Sequence, residues 1–111
     1  MEEFQCLFDK KEENVKAITE EILEILHQFG HYHIEIKKTS LHIVKEKAFL
    51  GIHPKKKWVD INIVSNRAIS HHLITKVDQV SKNRYHNNLR LSSLNDIDKA
   101  VIELLKITYE R

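Results

Sequence analysis

Strict alternation of apolar and polar residues in the middle of the chain constrains the fold more than any other feature. Within four short runs between residues 31 and 64, every second residue is apolar. The apolar members are Tyr32, Ile34, Ile36, Leu41, Ile43, Leu50, Ile52, Val59, Ile61 and Ile63. A period of two is typical of strands that bury one face. The sequence therefore predicts an antiparallel β-meander over residues 31–64 with one buried face.

Short polar breaks between the four runs predict how the strands pair. If each loop has two residues, the apolar side chains of neighbouring strands lie opposite one another. The predicted pairs are Ile36–Leu41, Ile34–Ile43, Ile43–Leu50, Ile52–Val59 and Leu50–Ile61, with Glu35–His42 and His53–Trp58 on the opposite face. A slip of one residue would turn the apolar set toward solvent, so the face of each residue is better specified than the loop length.

Two segments with helical periodicity flank the meander. Residues 10–29 carry apolar residues at spacings of three and four, and Gly30 follows where a left-handed cap is expected. Residues 94–110 repeat the pattern, and Ser93 with Asp96 resembles a capping box. Together these elements predict a two-layer α+β fold. Its antiparallel sheet has four to five strands, and the N- and C-terminal helices pack on one face of that sheet.

The remaining segments have weaker patterns. Residues 1–9 are expected to form a lead-in that packs on the body through Phe4, Leu7 and Phe8. Residues 66–88 fit helix and strand about equally, and we expect an irregular segment with one strand near residues 74–80. Residues 89–92 are expected to form a last strand. A length of 111 residues suits a single domain over residues 1–111.

Composition and charge narrow the class of protein. Apolar residues make up 41% of the chain and charged residues 31%, which is typical of a soluble globular protein. No apolar run is long enough to span a bilayer, and the acidic start lacks the basic region of a signal peptide. The single cysteine, Cys6, fits a reducing compartment. We therefore expect a cytoplasmic protein without a membrane partner.

Motifs for catalysis or metal binding are sparse. With only Gly30 and Gly51 in the chain, a glycine-rich phosphate loop is excluded. His31 and His33 have a spacing usable for a metal, but no patterned cysteine or carboxylate accompanies them. Nothing in the sequence places a base near Cys6. We expect no catalytic residues, no metal site and no cofactor, and a small hydrolytic enzyme that uses its histidines is the alternative.

Basic and aromatic residues are predicted to gather on the outer face, the sheet face turned away from the helices. The densest cluster is Lys55-Lys56-Lys57 beside Trp58, and Arg90 lies between two leucines of a predicted strand. Such residues contact phosphates and stack on bases. The predicted anion- or nucleic-acid-binding residues are Lys37, His42, Lys55, Lys56, Lys57, Trp58 and Arg90. The competing interpretation is a solvated face whose cross-strand pairs only stabilise the sheet.

Two further observations bear on partners. The chain has eight histidines, so anion binding is expected to strengthen in mild acid. Residues 1–30 are acidic whereas the middle of the chain is basic. An acidic first helix or an exposed sheet edge could instead mediate contact with a protein partner. A homodimerising interaction domain is therefore an alternative to a nucleic-acid partner.

Four segments carry a family resemblance. They are Ile36-Lys37-Lys38-Thr39, Ile52-His53-Pro54-Lys55-Lys56, Val77-Asp78-Gln79-Val80-Ser81 and the tail from Leu89 to Glu110. In these the chain resembles an uncharacterised bacterial and archaeal domain family whose members carry the loose label "predicted transport protein". The chain departs from that family at residues 84–88, where members often carry glycines.

That resemblance implies a shared α+β fold and no established activity. It also implies domain company, because such domains often lie C-terminal to helical domains or to nuclease- or restriction-type domains. On this basis we interpret the chain as an uncharacterised non-catalytic binding or interaction module, an accessory domain of a nucleic-acid-processing system.

Overall fold

The computed structural model describes residues 2–110, apart from the side chains of residues 2 and 3. Within this range, six strands form one antiparallel sheet. The elements are α1 Glu2–Cys6, α2 Glu13–Phe29, β1 His33–Ile36, β2 Leu41–Val44, β3 Ala48–Pro54, β4 Val59–Ser65, β5 Ile74–Ser81, β6 Arg84–Leu91 and α3 Lys99–Glu110. The strand order is β1-β2-β3-β4-β6-β5. The predicted α+β class with terminal helices is confirmed, but the count of four to five strands was too low.

The alternation in β1–β4 builds one continuous apolar face. Register aligns Ile34, Ile43, Leu50 and Ile63 in a single row across four strands. This row belongs to the same hydrophobic core as the buried side chains of α2 and α3. The fully buried large side chains are Ile18, Ile22, Leu26, Leu41, Ile43, Leu50, Ile52, Ile61, Ile63, Leu89, Leu91 and Leu105. Both helices therefore cover one face of the sheet, and the opposite face carries the polar alternates.

The hairpin between β3 and β4 differs from the predicted register by two residues. The observed pairs are Pro54–Val59, His53–Asp60, Ile52–Ile61 and Leu50–Ile63, in place of the predicted Ile52–Val59, His53–Trp58 and Leu50–Ile61. The cause is the loop, which has four residues closed by the Lys55 N–H donating to the Trp58 carbonyl at 2.8 Å. Because the shift is two residues, the alternating residues from Val59 to Ile63 stay on their predicted faces. Phe49, which the alternation of β3 places on the outer face, instead packs against Tyr109 in the core, next to a register irregularity between β2 and β3.

The stretch expected to be irregular contains most of a further hairpin, formed by β5 and β6. β5 lies where a strand was expected, but β6 begins at Arg84 rather than at residue 89. Asn87 is fully buried on the core side of β6 and interrupts the apolar alternation before Leu89. Its side chain accepts from the Ile69 N–H at 3.0 Å and donates to the Ile63 carbonyl at 3.0 Å. Asn87 thus joins the long β4–β5 connection to the sheet.

Both long helices begin later than the periodicity predicts. Lys10 has a φ of 62°, which an α-helix does not accommodate, and α2 starts at Glu13. The Asp96 carboxylate accepts from the Ser93 N–H at 3.2 Å, as in a capping box, but this turn is a short 3₁₀ helix. α3 begins after Asp98, whose carboxylate accepts from the Val101 N–H at 3.0 Å.

Gly30 ends α2, although not as the predicted left-handed cap. Its φ of 150° and ψ of −162° lie in a region that only glycine adopts readily. A Cβ at this position would collide with the hydroxyl of Tyr109, which donates to the His31 carbonyl at 3.0 Å. The Tyr109 ring also packs against Phe29 and Phe49. The glycine therefore lets the end of α3 close over the connection between α2 and β1.

Candidate nucleic-acid interface

Two loops that carry lysines lie at the same end of the sheet. The β1–β2 loop (residues 37–40) and the β3–β4 loop (residues 55–58) lie at the same end of the sheet, because β2 is antiparallel to both neighbours. At ordinary strand spacing the two loops are about 10 Å apart. Their lysines, all exposed, are Lys37, Lys38, Lys55, Lys56 and Lys57. These five residues are termed the basic end.

The loop of residues 55–58 is anchored rather than free. Besides its internal hydrogen bond, its Lys56 carbonyl accepts from the Glu12 N–H at 3.0 Å, just before α2. Lys11 also lies within electrostatic reach, since burial and then Lys55 lower its pKa. At the other loop, Lys37 forms an exposed ion pair with Glu35 at 3.5 Å. Exposed pairs of this kind contribute little, so Lys37 can exchange its partner for a phosphate.

Trp58, Arg90 and Asp60 form a stacked cluster beside the basic end. The Cζ atom of Arg90 lies 4.4 Å from the centroid of the Trp58 ring. The Arg90 Nε donates to Asp60 Oδ1 at 3.2 Å, and Asp60 is only 8% exposed. Arg90 is thus already engaged with a carboxylate on the neighbouring strand. Its remaining N–H groups are the ones that could contact an anion.

A shallow groove of about 220 Å³ continues along the outer face. Its floor includes Gly51 of β3, where an added Cβ would lie 3.1 Å from Nε2 of His53. The polar lining residues are His42, His53, Asn62, Arg84 and His86, with no carboxylate among the described lining residues. The Asn62 Oδ1 atom is buried and has no hydrogen-bond partner among the described residues. This feature is termed the histidine groove.

His53 connects the histidine groove with the basic end. Its pKa lies below the ordinary value, first because burial disfavours the charged imidazole and then because Lys55 and His42 repel it. Asp60 acts in the opposite direction and does not outweigh these effects. His53 is therefore neutral at pH 7 and gains its charge only in acid.

Replacing His53 with glutamine is expected to flatten the pH dependence of stability. Because the folded-state pKa is lowered, the unfolded chain binds more protons between about pH 6.5 and the folded value. Wild-type stability is therefore highest above this window and falls as pH drops through it. Urea midpoints at about pH 7.5 and about pH 5 measure the loss. The exposed His33→Gln variant should keep the wild-type dependence, and an equal change in both variants would contradict the assignment.

The structure places all seven sequence-predicted binding residues on the outer face or in the loops at its basic end. The outer face carries Lys37, His42, Trp58 and Arg90, and His42 lines the histidine groove. The remaining three, Lys55 to Lys57, belong to the basic end. Cys6 is exposed on α1. Among the described residues, no three His, Cys, Asp or Glu side chains are placed to hold a metal ion.

Sequence reasoning missed Arg84 and His86 as groove residues, because both lie in the segment of residues 66–88 that was expected to be irregular after a strand near residues 74–80. The alternation of residues 84–91 would have revealed them. Even-numbered positions from 84 to 90 share one face of a strand that has Leu89 and Leu91 on the other face. Extending that alternation back from Arg90 would have placed both residues on the outer face.

Comparisons with known proteins identify a family. Residues 5–111 match the profile described as "Domain of unknown function (DUF5655)". No curated protein and no solved structure matches the chain. Among the helices of residues 2–110, none combines the length with the apolar character that a membrane span requires. Since the match includes every strand and both long helices, this chain belongs to the DUF5655 family.

Proposed function

We propose that this domain is a non-catalytic module that binds single-stranded nucleic acid across the outer face of its sheet. One observation carries the proposal: the basic end lies at one end of the sheet whose outer face, left uncovered by α2 and α3, holds the histidine groove. Lysines at the basic end would contact phosphates, and Trp58 would offer an aromatic edge to a base. The domain company implied by the family resemblance directs the choice toward nucleic acid.

The shape of the face favours a single strand over a duplex. A sheet face recognises unpaired bases that can be splayed out and stacked, whereas a duplex hides the base faces. β4 has seven residues and spans about 23 Å, a length that suits a site of about four nucleotides or more. The histidine groove is shallow and open, so a chain could enter and leave along the strands.

The charge distribution supports the same choice. The five lysines of the basic end are exposed, and the described lining of the histidine groove contains no carboxylate. The acidic Asp60 is covered by Arg90 and is only 8% exposed. A phosphate backbone that crosses this face therefore meets mainly positive or neutral groups. The exposed carboxylates it would meet are Glu35 beside Lys37 and Asp78, which pairs with Lys76 opposite His86.

A salt titration tests the proposal. Fluorescence anisotropy of labelled oligothymidylate and oligouridylate of about twelve nucleotides should show saturable binding, with a matched duplex binding more weakly. The logarithm of the association constant should fall with the logarithm of salt concentration at a slope of about −2 to −3.5, for three to five phosphate contacts. Absence of binding at low salt, or binding that salt leaves unchanged, would refute the proposal.

A further inference from the structure

The exposed side of α3 carries alternating charges between two exposed isoleucines. Spacings of four, three and four place the charges along one line of the helix. They are Lys99, Glu103, Lys106 and Glu110. Ile102 and Ile107 flank the line and are 37% and 55% exposed. These six residues are termed the α3 stripe.

The charged residues of the α3 stripe have no ion-pair partner among the described residues of their own chain. A groove of about 460 Å³ runs along the stripe and is bounded on one side by Phe29 of α2. The face therefore combines apolar surface with charges that are free to pair with a second molecule.

The order of the charges makes the stripe complementary to itself. A two-fold axis that passes between Leu104 and Leu105, perpendicular to the helix, sets Lys99 opposite Glu110 of a second copy. The same axis sets Glu103 opposite Lys106, and symmetry repeats each contact. In a parallel arrangement, each charge would instead meet its own kind.

We propose that the α3 stripe is the interface of a homodimer in which two α3 helices pack antiparallel about this axis. Four ion pairs fix the register, while Phe29, Ile102 and Ile107 supply the apolar contact at its flanks. One of the two sheet edges, β5, is disrupted by two irregularities in register and carries the Lys76–Asp78 pair, features that discourage strand pairing.

The dimer would leave the outer face free. α3 packs on the face of the sheet opposite the histidine groove, so two copies joined through α3 present two outer faces on opposite sides. The inference does not depend on nucleic-acid binding, because it rests on the α3 stripe alone.

Charge reversal with restoration tests the interface. Glu103→Lys sets lysine against Lys106 of the second copy at two places, and Lys106→Glu sets glutamate against glutamate. Each single variant is expected to weaken self-association at least about tenfold, measured by sedimentation equilibrium over a range of protein concentrations. The double variant E103K/K106E exchanges the signs and should restore wild-type dimerisation.

The outcomes separate this interface from others. A wild-type protein that stays monomeric at high concentration would overturn the proposal, as would single variants that dimerise normally or a double variant that does not recover. All altered side chains are exposed, and circular dichroism checks that each variant is folded. Lys55→Glu with Lys56→Glu should leave dimerisation unchanged, because those residues lie in the β3–β4 loop and do not belong to the α3 stripe.

Discussion

Reversing the charge of Lys55 and Lys56 together is expected to lower the affinity for a single-stranded oligonucleotide by about a hundredfold at low salt. Each substitution removes a phosphate contact and adds a repulsive carboxylate at the anchored loop of the basic end. The salt slope should become shallower by about 1.4, since two contacts are lost. Anisotropy titrations at several salt concentrations measure both quantities.

A matched control distinguishes the effect of the basic end on affinity from the effect of net charge. Lys47→Glu with Lys82→Glu makes the same change in charge at exposed positions in loops at the opposite end of the sheet. This variant should lose much less affinity and keep a salt slope close to wild type. Equal losses in the two double variants would show that binding depends on overall charge, and the basic end would then have no special role.

Replacing Asn87 with alanine is expected to destabilise the fold by about 3 kcal/mol or more. The side chain is fully buried and, besides its bonds to Ile69 and Ile63, donates to the Ser65 hydroxyl at 2.8 Å. Its removal takes this partner from the Ile69 N–H and the Ile63 carbonyl, while the Ser65 hydroxyl keeps its bond to the Arg67 carbonyl. Each group left unsatisfied costs about 1–3 kcal/mol. Urea unfolding followed by circular dichroism should show a lower midpoint with an unchanged slope.

The neighbouring Asn88 is a close control. It lies on the outer side of the same strand and hydrogen-bonds to the exposed Thr75 hydroxyl at 2.7 Å. Asn88→Ala should cost less than about 1 kcal/mol, because water can replace this contact. If the two variants lose stability equally, the buried network around Asn87 does not have the structural role described for it.

Periodicity predicted the faces of the meander well and its register less well. Alternation depends on burial, and burial decides the face of the alternating residues from Ile34 to Ile63. Phe49, at the register irregularity between β2 and β3, is the exception. Register in the β3–β4 hairpin depends on the loop from Lys55 to Trp58, whose four-residue closure has no strong sequence signal. The pairing therefore shifted by two residues while the faces remained correct.

The alternation of apolar and polar residues gave the wrong prediction where a polar side chain lies in the core. Asn87 occupies a core-facing position because three local groups need hydrogen-bond partners, a requirement visible only in three dimensions. Because the predicted last strand began only at residue 89, Arg84 and His86 in the first part of β6 were not assigned to the outer face. Trp58 and Arg90 were placed on the correct face, but their stacking and the engagement of Arg90 by Asp60 depend on strands distant in sequence.

The position of β6 has a consequence for synthesis on the ribosome. β4 has β3 on one side and β6 on the other, yet β6 is the last strand to be made. Until translation has passed Leu91, the nascent polypeptide holds a strand rich in isoleucine and valine with one unpaired edge. Such an edge is prone to aggregation. We therefore expect the sheet to be completed only after Leu91 has left the ribosome, whatever the length of the chain around it.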